Sequence, residues 1–295
     1  MMGVAAIEPY SGRPAGKAFD DDQFEQWRKL LEDRTGMRFT RSQRSLLQTR
    51  LGQRMADAGY PDYQAYYEMV TAPGLAAASE WQALVDYLTV QETRFFRDPQ
   101  AMELVGEHLH ARWRRESGPV QLWSVGCATG EEAYSLAMLA AELNRKAEQR
   151  RPFAVTGSDI SAPAIHKARL GRYHRRKLEP VPASLQRRYF DWRGEEAEVR
   201  HELTEHLCFT RLNVLDLEEA PLGTMDVIFC QNLLIYFRRW RRRELVNELV
   251  NRLKPGGLLV LGPGELAGYD NPNLVPISNR NSLAWLRKFG TDHRE

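Results

Sequence analysis

Cysteine is scarce in this chain: Cys127, Cys208 and Cys230 are the only three in 295 residues. They are odd in number, far apart, and form no CxxC pair. That spacing suits neither a disulfide framework nor a zinc site, and a reducing cytoplasm is the expected compartment. Long apolar runs are missing too. None approaches the roughly 20 residues that cross a bilayer, and the N-terminus lacks the basic-then-apolar order of a signal peptide. Any membrane link is therefore expected to come through a partner, without direct insertion. Excess charge of one sign is also absent: 41 Lys+Arg against 39 Asp+Glu leave a net +2, which does not call for a nucleic-acid partner. His108 and His110, two apart in a helical stretch, share no face and read as surface residues. No histidine joins a visible site.

What is present reads in two halves. Met1 to about Phe19 carries Gly and Pro without periodicity and is expected to be a disordered tail (1–19). From 20 to 89 the pattern is helical. Phe24, Trp27, Leu30 and Leu31 recur at three- and four-residue spacing, then Leu46, Leu47, Leu51 and Met55, then Tyr63, Tyr66, Tyr67 and Val70. The segment TVQETRFFRDPQ breaks the period, so 90–98 reads as a linker, with Pro99 where a helix can begin. From 99 to 295 strands alternate with helices. Val120–Val125, Phe153–Ser158, Asp226–Cys230 and Leu258–Leu261 are the clearest strands. Such alternation predicts an α/β domain, its mostly parallel sheet covered on both faces. Residues 178–210 interrupt it and read as a small hairpin-rich β insertion, turning at Arg193-Gly194.

The stretch LWSVGCATGEEAYSLAM, Leu122–Met138, reads as strand, glycine turn and helix start. Gly126 and Gly130 flank CAT, which is not the G-x-G-x-x-G of a dinucleotide site. Glu131 and Glu132 occupy the helix's first turn. Acids there suit the helix dipole but compete with a pyrophosphate, which needs bare amides. The expected ligand is nucleoside-like, without phosphate and with positive charge. S-adenosylmethionine (SAM), with a sulfonium and an ammonium, meets that description. Asp159, ending the next strand, can accept both ribose hydroxyls. The alternative is a plain strand-helix turn with two dipole-matched acids.

At this point the sequence resembles the CheR chemotaxis-receptor methyltransferases. The segments that carry the resemblance, in order, are ETRFFRD, LWSVGCATGEEAYSLAM, GSDIS with KARLGRY, RLNVLD, DVIFCQNLLIYF and LKPGGLLVLG, from about Phe24 to Lys288. The pilus (twitching-motility) branch of the family is one reading within it. The resemblance implies a Rossmann-like class I SAM-dependent methyltransferase domain with a small β insertion, preceded by an all-helical N-terminal domain. It implies SAM as cofactor, S-adenosylhomocysteine (SAH) as product, and glutamate side chains on the cytoplasmic helices of a methyl-accepting chemotaxis receptor as substrate.

The resemblance also implies site residues. Gln91, Thr93 and Arg97 match the family's interdomain cofactor contacts, although the family usually has Asn where Gln91 stands. Phe95 and Phe96 read as packing at that joint. Gly126, Gly130, Glu131, Glu132 and Asp159 match the pocket, with the two glutamates undistinguished. Asn213 and Val214 match the segment flanking the adenine; a turn residue is the other reading of Asn213. Gln231 stands where the family usually has Arg. Asn232 matches a cofactor residue, and Tyr236 a tyrosine near the transferred methyl, with an ordinary core tyrosine as the alternative.

Arg38, Arg41, Arg44, Arg50 and Arg54 lie in and before the second helix. They are either a solvated face or, as the resemblance implies for Arg44, Arg50 and Arg54, a docking face for acidic receptor helices. Arg238, Arg239, Arg241, Arg242 and Arg243 read as a solvated helix start. Some family members tether to a receptor's C-terminal peptide through an extended glycine-containing loop of the insertion. Here that turn looks short and acidic, with Glu195, Glu196 and Glu198. Two rivals stay open: a nucleic-acid methyltransferase, against which stand the neutral charge and the missing N-P-P-Y motif, and a catalytically silent cofactor-binding adaptor, which Gln231 and the GPGE at Gly262–Glu265 (usually G-H-S-E) allow.

Overall fold

The computed structural model describes residues 19–116, 118–219, 223–277 and 283–289. They form two compact units. One is the chain up to Glu32 with Phe39–Leu88; the other is Asp33–Arg38 with the chain from Thr89 on.

The first unit is helical: α1 (Asp21–Thr35), α2 (Arg44–Ala58), α3 (Tyr63–Thr71) and α4 (Leu75–Leu88). The apolar positions at three- and four-residue spacing turn inward, so that Trp27, Leu31, Leu47, Leu51, Tyr66 and Leu84 are fully buried. Trp27 stacks on Tyr66 at 5.5 Å between ring centroids. Helix α2 stops at Gly59, whose φ of 77° is a left-handed cap, and α3 starts on Asp62, whose carboxylate accepts from the Ala65 amide. Of the expected tail, all but Phe19 lies outside the described residues. Phe19 is buried, 4.7 Å from the Tyr63 ring, and belongs to this unit.

The second unit runs α5 (Pro99–Arg115), β1 (Val120–Val125), α6 (Glu131–Lys146), β2 (Phe153–Asp159), α7 (Ala162–Leu170), β3 (Arg172–His174), α8 (Ala183–Tyr189), β4 (Phe190–Arg193), β5 (Glu196–Val199), α9 (His201–Thr204), β6 (Leu207–Arg211), β7 (Met225–Cys230), α10 (Arg239–Asn251), β8 (Leu253–Leu261), β9 (Leu274–Ile277) and β10 (Leu283–Arg287). The main sheet has the order β6-β2-β1-β7-β8-β10-β9. Its first five strands are parallel; β10 and β9 close it as an antiparallel edge. Both faces are covered, so β7, MDVIFC, is buried at every position, with Val227–Cys230 an apolar run after Asp226. Leu122, Val227 and Phe229 face one apolar cluster, Trp123, Ile228 and Cys230 the other.

Two expectations need correcting. The insertion does not span 178–210. Its three-stranded sheet, β3-β5-β4, begins at Arg172, whereas Leu207–Arg211 is strand β6 of the main sheet, paired with β2. The last residues assigned to the insertion, 207–210, are a parallel edge strand of the main sheet, which has no turn signal of its own. His108 is not a surface residue either. Its Nε2 is buried without a hydrogen-bond partner, and burial pulls its pKa down to about 4 against the opposing pull of Asp226. Nearby, the buried Asp226 carboxylate accepts from Arg112 Nε at 2.8 Å, Lys254 Nζ at 2.7 Å and the Gln121 amide at 2.8 Å.

Candidate active site

Strand order β6-β2-β1 runs one way from β1 and β7-β8 the other. The topological switch point therefore lies between β1 and β7, and their carboxyl ends are where such sheets open a ligand crevice. The loop after β1 holds Gly126 and Gly130, and the loop after β7 holds Asn232. Gly126 has φ 74°, and an added Cβ would stand 3.2 Å from the Leu233 side chain, so the two loops touch. Gly130 has φ 96°, and a Cβ there would meet Ala168 at 2.8 Å. Among the described residues three non-glycine residues have left-handed φ: Phe96 (48°), Ala128 (46°) and Asn232 (60°). One lies in each of three candidate segments, 91–97, 126–132 and 231–236. Left-handed backbone in bulky residues costs energy and collects at working sites.

The glycine turn has few amides to offer. Those of Gly126 and Cys127 donate to the Ser158 carbonyl at 2.8 and 2.9 Å, that of Gly130 to the Cys127 carbonyl, and that of Ala128 to Asp159 Oδ2 at 3.0 Å. A pyrophosphate cradle needs those donors free.

The two glutamates part company. Glu131 is fully buried and structural: its Oε2 accepts from Thr129 Oγ1 at 2.6 Å, and its Oε1 lies 3.1 Å from the Lys177 ammonium as an ion pair without an aligned hydrogen bond. Glu132 accepts from Ser124 Oγ at 2.7 Å and feels the field of Arg97 and of Glu265. Part of the residue stays open, yet burial around the carboxyl pushes its pKa up to about 8. Asp159 is partly exposed, and its other oxygen accepts from the Ser161 amide at 2.9 Å.

The remaining candidates sit as follows. Gln91 donates to Ser161 Oγ at 3.0 Å, the cap of α7. The Thr93 carbonyl accepts from Lys177 at 2.9 Å. Arg97 is exposed, with only a 3.4 Å contact to the Glu92 carbonyl among the bonds described. Phe95 is fully buried edge-on to Tyr173 and Phe190 of the insertion. Asn213 donates to the Arg34 carbonyl at 3.0 Å and accepts from the Leu215 amide at 3.2 Å, the turn geometry weighed for it; Val214 opens the short 3-10 helix that follows. Gln231 is buried and donates to Asp98, the cap of α5. Tyr236 is partly buried, and burial raises its pKa while Arg97 opposes. Cys127 and Cys230 are buried at the crevice floor, their thiols pushed well up by burial; Cys208 is exposed. Sequence reasoning passed over Glu265, a 1% exposed carboxylate that accepts from the Gly262 amide at 2.7 Å. Its only signal was the acid closing GPGE.

In the helical unit, Arg54 makes a two-armed contact with Glu80, at 2.8 and 2.5 Å, and Glu80 also accepts from Tyr66 at 2.7 Å. Arg50 donates to the Tyr87 carbonyl, and Arg44 to Asp21 and the Phe19 carbonyl. The docking reading is corrected for Arg54, whose guanidinium is committed inside the unit.

Three carboxylates line the switch-point loops, the turn's amides are occupied, and Glu265 Oε1 is buried without a partner. That donor and acceptor set fits a cationic nucleoside and rejects a phosphate. Fold and site together define an S-adenosylmethionine-binding α/β methyltransferase domain. The chain belongs to the CheR methyltransferase family: residues 91–281 match its SAM binding domain and residues 22–89 its all-alpha domain. The chemotaxis protein methyltransferase of Escherichia coli (strain K12) is 33% identical over 252 residues, 84% of this chain and 85% of the relative. Chemotaxis protein methyltransferase 2 of Vibrio cholerae serotype O1 is 34% identical over 249 residues, 83% of this chain and 85% of that one. A probable biofilm formation methyltransferase of Pseudomonas putida is 31% identical over 265 residues, covering 89% of this chain and 61% of the relative.

Proposed function

We propose that the protein methylates glutamate side chains on the cytoplasmic helices of a chemotaxis-type receptor, in the cytoplasm, giving glutamate methyl esters. The observation that carries this reading is the crevice at the switch point, acidic and without a phosphate cradle, in a chain of the CheR family. Bound there, S-adenosylmethionine would supply a methyl group already activated by its sulfonium leaving group.

The chain's own residues then have a limited task. Asp159 would accept the ribose hydroxyls and Arg97 would hold the cofactor carboxylate, beside Gln91 and Thr93. Asn213 and Val214 would flank the adenine, Val214 through its backbone since the Asn213 amide is engaged. Glu132 would face the cationic end. Asn232 and Tyr236 would line the transfer end, where alignment and exclusion of water decide the rate. No base is needed, because a glutamate side chain with a pKa near 4.3 is already a carboxylate at neutral pH. Arg44 and Arg50 would meet the acidic receptor helix.

The test is transfer of tritiated methyl into candidate receptors, followed by release of methanol in base, which reports a carboxyl ester. Label that stays in base, or transfer into nucleic acid, would overturn the reading. Cofactor binding with no transfer to any receptor would select the silent adaptor.

A further inference from the structure

The loop after β7 presents Asn232 and Tyr236, and its own bonding is slight. Its internal backbone bonds are Tyr236 N to the Leu233 carbonyl at 3.2 Å and Phe237 N to the Leu234 carbonyl at 3.0 Å. Asn232, at φ 60°, adds left-handed backbone. A short irregular turn of this kind needs outside partners for its remaining polar groups.

A side chain from another element supplies them for its carbonyls. Arg242, in α10, spreads its guanidinium over three carbonyls: Nε to Phe237 at 2.9 Å, Nη2 to Ile235 at 3.3 Å and Nη1 to Glu265 at 2.8 Å. Glu265, after β8, turns its carboxylate under the same loop. Burial pushes its pKa up, and the amides of Gly262, Asn232, Ile235 and Leu234 pull the other way by favouring the charged form. Gly262 lets it come close, since an added Cβ would stand 2.5 Å from Glu265 Oε2 and 3.3 Å from the Asn232 nitrogen. The two charges do not pair carboxylate to guanidinium. Arg242 holds the Glu265 backbone, so the fork also ties the segment after β8 to the same turn.

We propose that Arg242 is a positioning residue that clamps the Asn232–Phe237 turn by its Ile235 and Phe237 carbonyls while holding the Glu265 carbonyl beside it, and so fixes where Asn232 and Tyr236 stand. This rests on the proposed reading of Asn232 and Tyr236 as the transfer end, but the clamp itself is a statement about the turn. A lysine keeps the charge of Arg242 but gathers its donors on one nitrogen and loses the planar fork that reaches three separate carbonyls. Glutamine at 242 removes the charge and the fork together.

Hydrogen exchange on the cofactor-free protein tests the clamp without reference to activity. In Arg242→Lys and Arg242→Gln, amides 231–237 should exchange about tenfold faster while strands β1 and β7 keep their protection. Exchange that is unchanged in that segment, or that rises evenly across the sheet in both variants, would overturn the proposal. Kinetics on the same variants then separates the two readings. Lower kcat with SAH affinity retained is expected if the turn works as read. Local loosening with unchanged turnover would leave the clamp standing and remove Asn232 and Tyr236 from the transfer end.

Discussion

Asp159 bears on cofactor binding more directly than any other single residue. Its two oxygens already hold the Ala128 and Ser161 amides, so truncation would unsettle the loop as well as the ligand. Asp159→Asn is the cleaner change. It should weaken SAM and SAH alike, by about 1.5–3 kcal/mol for each hydroxyl bond lost to a charged acceptor. Calorimetry with equal affinities for both proteins would take Asp159 out of the site. Glu132 leads to a pH prediction. Its carboxyl is raised to about 8 by burial, whereas an unfolded glutamate titrates near 4.3. Between those values the folded chain holds a proton that the unfolded chain has released, so the stability this group contributes falls as pH rises and is gone above about 8. Glu132→Gln should escape that loss. Its melting temperature should gain on the parent from pH 5 to 8 and gain no further beyond; a constant difference across that range would refute the shift.

At the scale of elements, the second helix divides by role. Arg54 and Glu80 are 19% and 11% exposed at the side chain, with Tyr66 on the same carboxylate. Removing one partner of a pair this far from water costs about 3–5 kcal/mol when fully buried, and somewhat less here. Arg54→Glu should therefore lower the helical unit's melting temperature, whereas charge reversal at exposed Arg41 should leave it within a degree or two. Equal melting temperatures would return Arg54 to the docking face. The elements differ in how far the sequence disclosed them. Strands β1, β2, β7 and the end of β8 could be read because burial on both faces makes them short and rich in apolar residues. Gly126, Gly130 and Asp159 could be placed because they punctuate those strands. The limits of the insertion could not, since β3 is only RYH and β6 is an edge strand with Cys208 exposed. His108 was misread because helical spacing says which face a residue is on, not what packs over it. Arg242 looked like one of five solvated arginines, and only the fold brings the Ile235, Phe237 and Glu265 carbonyls to its fork.

For the whole molecule the question is how it finds its receptor. The β4–β5 hairpin of the insertion turns in two residues, Gly194 and Glu195, with Gly194 at φ 65°. Its strands are laced by Arg172 and Arg193 to Glu198, and Arg175 reaches Glu195. Two residues leave little backbone for an added peptide strand. A receptor shortened at its C-terminal end should be methylated as fast as the intact one. Micromolar binding of a receptor C-terminal peptide, lost when 193–198 is changed, would show that a tether operates after all.

The three sulfurs noted at the outset also amount to a built-in gauge of the crevice. Cys208 faces water, whereas Cys127, in the loop after β1, and Cys230, the last residue of β7, are buried on the two sides of the switch point. A thiol hidden there reacts only when the sheet parts above it. A soluble disulfide reagent should therefore modify one sulfur at once and the other two at the pace of opening. A ligand seated in the crevice should slow that second phase and leave the first unchanged. Loss of all three thiols in a single fast phase would mean that the crevice floor breathes freely in the resting protein.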